Sequence, residues 1–151
     1  MMIATILHLL AAVIWVGGMF FAVYMLRPAA GPLEPPERAA LWVRVFARFF
    51  PWVWGAVILL PASGYFMIFN GYGGFADLPP AFNTMQAIGW LMILLFLHMY
   101  FVPYARFKRA VEAGDFPEAG KRLNQIRLFV TVNLYLGLIN IAVGVAGRYV
   151  G

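Results

Sequence analysis

The sequence predicts an all-α integral membrane protein: a four-helix bundle with both termini on the outer, periplasmic side. Three observations carry that prediction. Of 151 residues, 64% are hydrophobic and 11% charged, whereas soluble domains carry about 25% charged residues. The charges leave four uncharged runs, 1–26, 49–76, 78–105 and 128–147, each longer than the roughly 18 apolar residues that a spanning helix needs. Ten of the eleven cations fall in the first and third connections (Arg27, Arg38, Arg44, Arg48; Arg106, Lys108, Arg109, Lys121, Arg122, Arg127), with only Arg148 beyond the last run. The positive-inside rule assigns those connections to the cytoplasm of a bacterial inner membrane, a multi-pass arrangement. A single domain over 1–151 follows, with spans at about 3–26, 50–69, 84–104 and 128–147.

Several chemistries are excluded at once. With no cysteine there is no disulfide, thiolate zinc site or iron–sulfur cluster, so a metal must be held by His, Met, carboxylate or backbone. The charge placement argues against nucleic acid, and no nucleophile triad, P-loop or dinucleotide fingerprint is present. Paired carboxylates inside the spans are also missing, which removes the usual proton or cation relay.

The first span, Ile3 to Leu26, holds one ionisable side chain, His8, with Ala12, Trp15 and Met19 along its face. No basic n-region precedes it and its apolar run is too long for a signal peptide, so it reads as a mature helix. The Pro-rich turn that follows opens a short interfacial helix at Pro35 and Pro36, leading into the second span. Arg44 and Arg48 on that helix snorkel toward anionic headgroups. Pro51 and Pro61 interrupt the second span, and Pro61 removes one backbone hydrogen bond beside Ser63 and Gly64. The connection NGYGGFADLPPAFN is rich in glycine and aromatics, suited to an interfacial loop.

The third span carries His98, and Met85, Met92 and Met99 recur every seven residues beside its face. Such a stripe suits flexible packing or a copper track. Gly114 ends the helix, and Asp115 with Glu118 forms a capping-box pattern that starts the fourth helix before the membrane. In the fourth span Asn133, Gly137, Asn140 and Gly144 share one face. Small residues there allow close approach and amides bond across helices.

A titratable imidazole in lipid marks a site by default, and this chain has two, one on each of two helices. Facing each other, His8 and His98 would ligate copper or the iron of a b-type haem. Copper would draw a soft donor from Met19 or Met99. Haem would use Arg148 for its propionates and Gly17, Gly18, Gly137 and Gly144 for room. Counting residues puts His8 about 10 Å and His98 about 16 Å below the outer edge, a mismatch that tilt must absorb. A third reading makes both histidines packing residues of a subunit in a membrane complex.

The segment HLLAAVIWVGGMFF from His8, the stretch GWLMILLFLHMYFVPYARFKR around His98 and RLNQIRLFVTVNLYLGL in the fourth helix resemble the CopD-like family of small bacterial membrane proteins. That resemblance covers nearly the whole chain. It implies copper homeostasis or copper passage across the inner membrane, with His8 and His98 as metal residues. More distantly the chain is similar to the small membrane protoporphyrinogen oxidases, which are associated with haem b. Where those carry a lysine in the third helix, this chain has Gln86 and Ala87. The cofactor therefore stays open between copper and haem b. The partners implied are membrane lipid, a periplasmic copper or electron carrier, the quinone pool for a haem-dependent oxidoreductase, and a second copy of the chain.

Overall fold

The structure is a computed structural model that describes residues 1–150. Four helices make up the described residues: α1 (Met2–Ala30), α2 (Pro35–Gly71), α3 (Pro80–Glu112) and α4 (Phe116–Val150). Each is long and apolar enough to cross a membrane. The outward-turned side chains are largely apolar, among them Leu9, Val13, Trp52, Ile58, Leu94, Phe101, Leu128 and Ile139. Lipid is the solvent these faces require.

The separate interfacial helix expected before the second span is not separate. Pro35 and Pro36 open α2 and the chain then stays helical for 37 residues, through both Pro51 and Pro61. At 1.5 Å per residue that is about 55 Å, so α2 projects well beyond a hydrocarbon core of about 30 Å. Two other prolines act differently. The turn Ala22–Leu26 of α1, before Pro28, and the turn Tyr100–Tyr104 of α3, around Pro103, are π-helical. A proline ring collides with the carbonyl four residues earlier, and widening the turn relieves that collision.

Packing follows the small-residue face of α4. Asn133 Nδ2 donates to the Met92 carbonyl at 3.1 Å and Asn140 Nδ2 to the Met85 carbonyl at 3.2 Å. These bonds set α3 and α4 antiparallel in a seven-residue register. Gly137 and Gly144 fall in the same register: a Cβ on Gly137 would lie 2.8 Å from Val16, and one on Gly144 would lie 2.9 Å from Met85. Helices that lack a hydrophobic drive to associate are held by such close approach and such amides. On the other side, Trp54 packs edge-on against Phe96 and Tyr100, and Phe50 against Phe96 and Tyr104. That aromatic block joins α2 to α3.

The polar connection between α3 and α4 has the expected glycine stop and half of the expected capping box, since the Asp115 N–H donates to the Ala110 carbonyl and not to Glu118. Gly114 adopts φ +69°, and the Glu118 N–H donates to Asp115 Oδ1 at 3.2 Å. Gly114→Ala is expected to lower stability by about 1 kcal/mol, because a Cβ is disfavoured in the left-handed region; thermal unfolding in detergent measures it. One turn into α4, the Arg122 guanidinium bonded to Glu118 holds that carboxyl below the usual range. The pair's contribution is therefore present at neutral pH and lost as the pH falls through the lowered value.

Candidate metal site between the helices

His8 lies half-buried on α1 where it meets α2 just past Pro61. Its Nδ1 is 2.9 Å from Ser63 Oγ. Ser63 has one proton, and its Oγ lies 2.6 Å from the Leu59 carbonyl, which takes that proton. Nδ1 must then carry a hydrogen and donate it to Ser63. The Nε2 lone pair is left free for a ligand, the arrangement by which an outer hydrogen bond fixes the tautomer of a metal-binding histidine. Gly64 leaves room for the ring, since a Cβ there would sit 3.3 Å from His8 Cε1. In Ser63→Ala the Nδ1–H loses its side-chain acceptor, and nitrogen-15 NMR of His8 is expected to show a weakened preference for the Nδ1–H tautomer.

One turn further along α2, Met67 presents its thioether 3.2 Å from the Thr5 hydroxyl. Sequence reading passed over Ser63 as a partner of His8 and Met67 as a neighbour of Thr5. The signal for Ser63 was its place two residues after a helix-interrupting proline; Met67 had none.

His98 lies elsewhere. It is exposed on α3, its ring 5.3 Å from that of Phe129 on α4. Trp15 and Phe96 pack edge-on with centroids 6.3 Å apart, which places them at one depth. His8 is seven residues from Trp15 toward one end, and His98 is two residues from Phe96 toward the other. The imidazoles are thus about 13 Å apart along the bundle axis. The facing pair that a b-haem requires is not formed. Three of the four glycines leave no slot: Phe49 fills the space at Gly18, Val16 and Met92 that at Gly137, and Met85 that at Gly144, while Gly17 is exposed with open space beside it. Arg148 is exposed in the last turn of α4.

The structure does bring Met19 and Met99 together. Both line one internal cavity near the middle of the bundle, with Trp15, Phe96, Phe129 and Asn133 around it. The two methionines are only 2% and 3% exposed. Asn133 is equally buried, and while its Nδ2 bonds the Met92 carbonyl, its Oδ1 has no partner. An unpartnered amide oxygen at this depth is costly and calls for a donor or a cation. Two thioethers and an amide oxygen suit a soft monovalent ion, Cu(I) above all. Among the described residues no three His, Asp or Glu side chains gather as a metal group, so a hard divalent ion has no comparable donor set. Sequence reading treated Asn133 as glue between helices; half of the amide does that and half is left over.

Comparison with curated proteins and with solved structures found no match. Residues 43–146, which include His98, Met99 and Asn133 but not His8 or Met19, match the family described as copper resistance protein D. With more than two thirds of its length in that match and four spanning helices around it, the chain belongs to the copper resistance protein D family, as a multi-pass membrane protein.

Proposed function

We propose that this protein passes Cu(I) across the membrane through the Met19–Met99 cavity, with His8 as an acceptor on the way in. The observation that carries the reading is that two buried methionines and Asn133, whose Oδ1 has no partner, line one cavity, in a chain of a family described by copper resistance. The positive-inside rule puts the cation-rich connections in the cytoplasm and both termini outside. His8 then stands in the outer half, with its Nε2 free.

The donor set suits passage better than storage. Neutral thioethers and one amide oxygen give no charge neutralisation, so the ion is held by soft coordination alone and leaves readily, as a conducting site requires. About 16 Å of helix separate His8 from Met19, and Trp15 lies between them. The route from the outer half therefore runs past the Trp15 and Phe96 rings, which form part of the cavity wall. His98, outside the cavity beside Phe129, offers a further imidazole at that level.

The test is Cu(I) uptake into proteoliposomes that enclose a Cu(I)-specific dye, with protein-free liposomes as the reference. Wild type is expected to exceed the reference, and His8→Ala to slow the initial rate several-fold while leaving equilibrium binding at the cavity intact. Wild-type flux no greater than that of protein-free liposomes would contradict the proposal.

A further inference from the structure

At the basic end of the bundle, α1, α2 and α4 line a second, shallow cleft that is open to the outside. Its polar lining is three donor side chains and the Thr131 hydroxyl. Arg27 and Arg127 both line it, and so does Trp42, which is 3% exposed and whose Nε1–H has no partner. Arg127 stacks its guanidinium over the Trp42 ring at 5.9 Å and gives one N–H to Asn124 Oδ1, while its Nε is buried without a partner. Among the described residues the one ion pair, Glu118–Arg122, lies outside this cleft.

Two guanidiniums beside a buried N–H, with no carboxylate in the lining, make a site for an anion. The other walls indicate which kind. Ala22 and Val23, on the π-turn of α1, and Val130 on α4 continue the cleft as an apolar groove. Arg127 directly precedes the uncharged run 128–147, so the cations stand at headgroup level and the groove at acyl level. We propose that this cleft holds an anionic phospholipid of the adjoining leaflet, its phosphate between Arg27 and Arg127 and an acyl chain along Ala22, Val23 and Val130.

The experiment is native mass spectrometry of the full-length protein in detergent. It is titrated with phosphatidylglycerol, with phosphatidylcholine of the same chains, and with inorganic phosphate. Wild type is expected to retain phosphatidylglycerol about tenfold better than phosphatidylcholine. Arg27→Gln/Arg127→Gln is expected to erase that preference, and Arg44→Gln/Arg48→Gln, on exposed positions of α2, to leave it. Trp42→Phe, which keeps the ring and removes the N–H, carries the test if the double variant does not fold, and is expected to reduce the preference. Equal retention of the two lipids by wild type would overturn the proposal. So would an equal loss in both arginine pairs, which is what unspecific snorkelling gives, or a Trp42→Phe protein with an unchanged preference. Displacement of phosphatidylglycerol by inorganic phosphate would replace the lipid with a soluble anion.

Discussion

Replacing Met19 and Met99 together by leucine is expected to weaken Cu(I) binding by about 100-fold, near tenfold or about 1.4 kcal/mol for each thioether. Leucine keeps the volume and apolarity of methionine, so the fold should lose less than about 1.5 kcal/mol at each position. The comparison therefore separates coordination from packing. Asn133→Leu is expected to act on both, because it removes the free Oδ1 from the cavity and the Nδ2 bond to Met92 from the α3–α4 seam. Competition against a chromophoric Cu(I) chelator measures affinity, and thermal unfolding in detergent measures the fold. Unchanged affinity in the double leucine variant would remove the cavity from the account.

The largest expected loss of stability follows Phe96→Ala. Phe96 is 2% exposed and meets Trp15 on α1, Phe50 and Trp54 on α2, and Tyr100 on its own helix, with centroids between 5.3 and 6.3 Å. No other described side chain in the aromatic block spans three helices in this way. In a bilayer the loss is of dispersion contacts more than of burial from water, and removal of a buried phenyl ring costs about 3–5 kcal/mol. Reversible unfolding in mixed micelles should show that decrease. Phe101→Ala, one helical step away but exposed, should cost under about 1 kcal/mol.

Much of this architecture was legible in the sequence because lipid imposes simple rules. Uncharged runs had to be helices, and the amides and glycines at 133, 137, 140 and 144 had to face a neighbour. The methionines at 85 and 92 supply the matching register on α3. What a helical wheel does not contain is rotation and depth relative to another helix. His8 and His98 each looked like half of a pair, yet α1 turns His8 toward Ser63 on α2, and α3 leaves His98 outside beside Phe129. The residue count had already placed the two imidazoles at different depths, and the packing of Trp15 on Phe96 widens that offset. Met19 and Met99 were considered only as supplements to the histidines. They line one cavity because Trp15 and Phe96 bring α1 and α3 into register, a contact that no spacing within one helix reveals. The cleft of Arg27, Trp42 and Arg127 was illegible for the same reason, since its three residues come from three helices.

The most direct test of the copper site is X-ray absorption at the copper K-edge of Cu(I)-loaded protein, wild type beside Met19→Leu/Met99→Leu. The account predicts a Cu(I) edge with two sulfur neighbours and a light-atom neighbour in wild type, and loss of the sulfur shell in the variant. A first shell of nitrogen and oxygen alone in wild type, or a sulfur shell that survives both substitutions, would contradict it.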